Sequence, residues 1–195
     1  MQSDWSIECG ADDPVVVLPW QSEDGSIRYI DLRLAPEAIE QISEARQFPT
    51  LAGALQRWNE AGSPIYTAKC DVWSYPAELF DADDLPGYAF AQGSYVDLIS
   101  SNPETFRSFA ACESQLRIWT ASARAIPLQE CRCEWTLRSA LTFPSLAVEK
   151  DCAGQTGFAT TLYVWGYGAT PQATSFAWAE ALERLIEPVL LPAGR

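Results

Sequence analysis

The sequence contains no histidine. Histidine is the side chain whose unperturbed pKa lies nearest neutrality. Its absence excludes the Ser–His–Asp triad, the Cys–His pair, the zincin helix and every imidazole metal site. Lysine is almost missing too: Lys69 and Lys150 stand alone, and arginine supplies the rest of 13 basic residues against 26 acidic ones. The resulting net charge of −13 offers no basic patch to a nucleic acid backbone or an anionic membrane, and it would steer a basic protein partner inward. Nowhere does an apolar run reach the ~18 residues of a membrane helix. The start, Met-Gln-Ser-Asp-Trp-Ser, shows neither the basic residues nor the apolar stretch of a signal peptide. Cytoplasmic residence is the expectation.

Apolar and aromatic residues are plentiful. At 48% hydrophobic and 12% aromatic, with eight tryptophans in 195 residues, the chain can bury a large core. No Pro/Gly/Ser-rich linker interrupts it, and a single domain over residues 1–195 is expected. Cys9, Cys70, Cys112, Cys131, Cys133 and Cys152 are dispersed, as reduced and mostly buried thiols would be.

The order strand–strand–helix is read three times, near residues 14–60, 64–124 and 129–190, without similarity among the segments. In the first, Val15 to Leu18 suits a buried strand and Arg28 to Leu34 alternates, with an Asp24-Gly25 turn between them. A short helix with Ala38, Ile39 and Ile42 inward follows. Pro49-Thr50 then opens another, with Leu51, Ala54, Leu55 and Trp58 on one face. The second segment predicts strands from Ile65 to Trp73 and from Tyr88 to Ile99, the latter kinked or bulged at Gly93. A long helix follows from Pro103 to Arg124, with Phe109, Cys112, Leu116, Trp119 and Ala123 inward. In the third, Cys131 to Phe143 alternates strictly and Phe158 to Tyr167 is its partner. The last helix, from Thr170-Pro171, should face Phe176, Ala179, Leu182 and Ile186 inward and end or kink at Pro188. These elements imply an α+β fold, an antiparallel sheet with helices covering one face.

Most apparent motifs have a plainer reading. Asp81-Ala82-Asp83-Asp84 lacks the glycine and distal glutamate of a calcium loop and reads as a solvated acidic turn. Cys131-Arg132-Cys133 has no second thiol pair to complete a metal site, and the two thiols share a face with Trp135 and Leu137. Gly166-Tyr167-Gly168 lacks the rest of a dinucleotide or phosphate loop. Asp31, Asp71 and Asp97 lie in strands, but nothing in their spacing makes them converge. No catalytic residue, metal ligand or cofactor is assigned.

One strand face stands out. If Leu162 and Val164 point inward, Tyr163, Trp165 and Tyr167 point outward, with Arg132, Glu134 and Arg138 of the neighbouring strand at matching parity. Tyrosine and tryptophan beside arginine is a composition typical of binding hot spots. The expectation is therefore a non-catalytic binding protein that holds a basic protein partner or a small ligand through Tyr163, Trp165, Tyr167, Arg132 and Arg138. The alternative is a histidine-independent hydrolase that uses carboxylates or tyrosines on a small polar substrate. A deep pocket of convergent acids with shifted pKa values would favour the enzyme, and a flat aromatic patch the binder.

Overall fold

The computed structural model describes residues 1–76, 88–144 and 154–191. The acidic tract Asp81–Asp84 and Cys152 lie outside them. The described residues form a six-stranded sheet and six helical segments, an α+β arrangement. The strands are β1 (Gln2–Glu8), β2 (Val16–Leu18), β3 (Ile65–Pro76), β4 (Phe90–Ser100), β5 (Cys131–Thr142) and β6 (Gln155–Gly168), ordered β1-β5-β6-β4-β3. The pairs β3–β4, β4–β6 and β5–β6 are antiparallel, as alternating half-buried strands favour. The sheet is nevertheless mixed, because β1 and then β2 run parallel along the outer edge of β5.

The first segment departs most from expectation. Its first strand is the polar stretch Gln2–Glu8, whose Ser3, Trp5 and Ile7 pair with Cys133, Trp135 and Leu137. Residues 28–34 are no strand. Asp31 accepts hydrogen bonds from its neighbours instead: its carbonyl from the amides of Leu34 and Ala35, its carboxylate from the amide and guanidinium of Arg33. Such local bonds outcompete a ladder. The expected Asp-Gly turn does form, with Gly25 at φ 70°, but only one bridge, Gln21 to Arg28, closes above it.

The helical segments cover one face of the sheet, save the one at Pro103–Arg107, whose Phe106 packs on the other. They are a 3-10 segment (Pro36–Gln41), α1 (Ser43–Gln47), α2 (Pro49–Trp58), α3 (Pro103–Arg107), α4 (Phe109–Arg124) and α5 (Pro171–Leu190). In α2, Leu51, Ala54, Leu55 and Trp58 are all buried, as their spacing predicts. The long second-segment helix is broken at Ser108, whose hydroxyl accepts from the amide of Ala111 and starts α4 afresh. The break turns Phe106 into the core and leaves Phe109 at the rim, its ring edge-on to Phe158. Cys112, Leu116, Trp119 and Ala123 are buried, with the Trp119 ring 5.4 Å from Trp135. Helix α5 is rotated from its expected face: Trp178, Ala181, Leu182, Leu185 and Val189 point inward while Phe176 is 70% exposed. The large Trp178 sets the rotation by donating from Nε1 to Ser94 Oγ at 2.9 Å. Pro188 does not stop the helix, which continues to Leu190.

Polar atoms around Ser3 and Cys131 in this core find partners, while Trp119 Nε1 is buried without one. Ser3 Oγ accepts from both Trp135 Nε1 and Cys133 Sγ, and Cys131 Sγ donates to the Ala177 carbonyl. Both thiols of the Cys-Arg-Cys stretch are therefore core donors. The second face of the sheet has a smaller apolar cluster at one end, where Leu18, Ala68, Ile99, Phe106, Ala140 and Ala159 meet under residues 16–29.

Candidate functional site

Beyond that cluster the second face carries a row of aromatic rings, set by strand register. Trp73 of β3 lies opposite Gly93 of β4, and Gly93 lies opposite Trp165 of β6. Tyr95 lies opposite Tyr163. Ring centroids are 6.1 Å apart for Trp73–Tyr95 and 6.0 Å for Tyr95–Tyr163, and Tyr163 stacks on Trp165 at 5.5 Å with 13° between planes. These separations match favourable aromatic pairing. Gly93 makes no kink. It is the floor on which Trp73 lies, since a Cβ there would sit 2.6 Å from the indole. The distortion falls in β3 instead: the pairs Thr67–Leu98 and Cys70–Val96 leave Ala68 and Lys69 bulged opposite Asp97.

The expected site residues divide. Tyr163 and Trp165 are partly exposed on this face, and Arg132, Glu134 and Arg138 share it. The Arg132 guanidinium lies 6.0 Å from the Trp165 ring centroid. Arg138 donates from Nη2 to Tyr163 Oη at 3.3 Å and pairs with Glu8 at 2.7 Å. Tyr167 is not part of the surface. It is 5% exposed, against the ring of Tyr88 at 5.8 Å, because β6 ends there beneath the start of β4. Trp73 and Tyr95 escape the sequence reading, and Asp97 enters it only as one of three carboxylates with nothing to make them converge. Trp73 and Tyr95 were present as aromatics at strand parity, but their meeting with Tyr163 depends on a strand order that no local pattern encodes.

Beside the ladder, the strap of residues 14–21, of which Val16–Leu18 is the edge strand β2, borders an open-sided cavity of about 340 Å³. Trp20 fastens this strap by donating from Nε1 to the carbonyl of Ala68, a bulge residue of the edge strand β3, at 3.0 Å. Asp97 lines the cavity at 7% exposure, with Tyr95, Tyr163, Lys69 and Arg138 around it. Thr161 Oγ1 donates to Asp97 Oδ1 at 2.6 Å. Burial raises the Asp97 pKa above the ordinary carboxylate value, against the pull of the Thr161 hydrogen bond and of the Arg138 and Lys69 charges. Burial also raises the phenols of Tyr95 and Tyr163, and the charge of Asp97 pushes both in the same direction. Of the three carboxylates expected in strands, Asp97 lines this cavity, and Asp31 lies outside any strand. Asp31 is tied to Arg33, and Asp71 lies opposite Tyr95.

A partly exposed aromatic ladder and a pocket with one perturbed carboxyl thus adjoin on one face. Among the described residues no helix is long and apolar enough to cross a membrane. No protein-family model, curated protein or solved structure matches the chain.

Proposed function

We propose that the protein is a non-catalytic binding protein that holds a basic protein partner on the aromatic ladder of its sheet. The observation that carries this reading is the continuous row of Trp73, Tyr95, Tyr163 and Trp165 across three strands. Carboxylates flank it: Asp4, Glu134, Tyr163, Tyr95 and Asp71 form one cross-strand row. Aromatic faces bordered by carboxylates suit arginine and lysine side chains through cation–π contact and charge-assisted hydrogen bonds. The net charge of −13 steers such a partner inward. Arg132 and Arg138 are engaged with Glu134, Glu8 and the rings, so their role is to position Trp165 and Tyr163.

The test is titration of an arginine-rich peptide at low and moderate salt, by calorimetry. Trp165→Ala should weaken binding by about 30-fold, a hot-spot loss, while the urea midpoint of unfolding is retained. Equal affinity for the wild type and Trp165→Ala would overturn the reading.

A histidine-independent hydrolase is the second reading, favoured by the raised carboxyl of Asp97 beside two tyrosines. It predicts turnover of a simple activated ester that Asp97→Asn abolishes. Turnover that survives Asp97→Asn would end it.

A further inference from the structure

The strap cavity has a chemistry of its own, independent of whether a partner docks on the ladder. Asp97 is almost wholly buried, yet among the described residues its carboxylate receives one protein hydrogen bond, from Thr161 to Oδ1. Oδ2 has no protein donor but is not sealed in: it does not appear among the buried atoms that lack a partner. An ionised carboxylate in such a position calls for a donor from outside the chain.

The cations nearby do not serve equally. Arg138 is neutralised by Glu8 at 2.7 Å. Lys69 is exposed on the bulge, with its ammonium 5.3 Å from the Trp20 ring centroid, and has no ion-pair partner among the described residues. The cavity therefore holds a negative group inside and a positive group on the bulge, neither in a direct ion pair with the other among the described residues, although the Lys69 charge is felt at Asp97. A cationic ligand would satisfy Asp97 and repel Lys69, and an anionic one would do the reverse. A neutral ligand would remove water from both charges and replace neither interaction. The apolar part of the lining is Val15 and Val17, 50% and 40% exposed, with the Trp20 ring.

We propose that this cavity is a binding site for a free α-amino acid with an apolar side chain. The ligand's ammonium donates to Asp97 Oδ2, its carboxylate faces Lys69, and its side chain covers Val15, Val17 and Trp20. A volume of about 340 Å³ lies in the range of small-ligand pockets. The bulge in β3 is what makes the site, because it sets Lys69 opposite Asp97 and supplies the carbonyl that holds the strap.

The full chain is tested by thermal shift against each standard amino acid at about 10 mM, a concentration that stabilises the native state measurably if the dissociation constant is millimolar or lower. The best ligand is then titrated by calorimetry beside its carboxamide and its N-acetyl derivative. Binding of an apolar amino acid is expected, weakened on the order of tenfold or more by N-acetylation or by Asp97→Asn, since each removes a charged hydrogen bond. Lys69→Met or the carboxamide should weaken it a few-fold, as an exposed ion pair does. No shift with any amino acid overturns the proposal. So does a carboxamide that binds as tightly as the amino acid, or an affinity that Asp97→Asn leaves unchanged. Should Asp97→Asn fail to fold, Lys69→Met and the two derivatives decide the matter on the folded protein.

Discussion

Replacing Gly166 by alanine should loosen the helix layer from the sheet, whereas the same exchange at Gly53 should stabilise the protein. At Gly166 an added Cβ would lie 2.2 Å from the Trp178 nitrogen, 2.6 Å from its Cα and 2.8 Å from the Thr174 carbonyl oxygen. Ordinary contact begins at 3.4 Å, so α5 would have to rise by roughly an ångström over β6. Its anchors oppose that movement. Trp178 donates to Ser94 at 2.9 Å and meets Phe48 edge-on at 5.4 Å. Overpacking costs about 1–3 kcal/mol and more where backbone must shift, and the clashing atoms here are mainly helix backbone. A loss of about 3 kcal/mol is expected. Gly53 lies mid-helix in α2 with nothing within 4 Å of an added Cβ, so its exchange should gain about 0.5–1 kcal/mol from helix propensity alone. Urea unfolding followed by tryptophan fluorescence reads both. An unchanged midpoint for Gly166→Ala, or a loss for Gly53→Ala, would refute the contact reasoning.

Trp119→Ala should cost about 3–5 kcal/mol in the same assay, because its ring is 4% exposed and packed on Trp135. A loss below about 1 kcal/mol would mean that α4 presents another face. Burial pushes the Cys70 and Cys131 thiols up to about 12 and those of Cys112 and Cys133 up to about 11, so a thiol reagent at pH 8 should react slowly with these four in the native protein. After denaturation without reductant it should count six thiols, and a stoichiometric disulfide would contradict the expectation of reduced cysteines. Asp97→Asn should stabilise the apo-protein near neutrality. The folded-state pKa of Asp97 is raised by burial, so the stability it contributes is full below the unfolded value near 3.8 and is lost as pH rises through the folded value. The stability difference between variant and wild type should therefore grow with pH above about 4 and then level off; a difference independent of pH would show that Asp97 is not destabilised by ionisation.

What was legible in the sequence was whatever one element states by itself. Strict alternation in β5 placed Arg132, Glu134 and Arg138 on one face and Cys133 and Trp135 on the other, as the sheet has them. Spacing in α2 named its buried stripe without error. Failures came where a neighbour decides. In α5 the apolar residues on either side of the Glu180, Glu183, Arg184 and Glu187 stripe are more than one face can bury, so the buried side depends on which one the sheet accepts, and Gly166 accepts Trp178. In β1 the core position is Ser3, which looks exposed until Trp135 and Cys133 donate to it.

The Asp97 cavity lay furthest from reach, for a physical reason. Segments distant in sequence build it, among them the strap at 14–21, the bulge at Ala68–Lys69, Asp97 itself and Thr161 opposite it. Each alone reads as ordinary structure, an apolar strand, a charged strand residue and a threonine in a strand. A one-residue slip of β3 against β4 is the feature that joins them. In regular register a single residue would face Asp97, and the Ala68 carbonyl and Lys69 could not both stand beside it. Removing one residue at position 68 or 69 should therefore restore a regular ladder while it detaches the strap. The fold would persist with Asp97 open to water, and its ionisation penalty should fall with its burial.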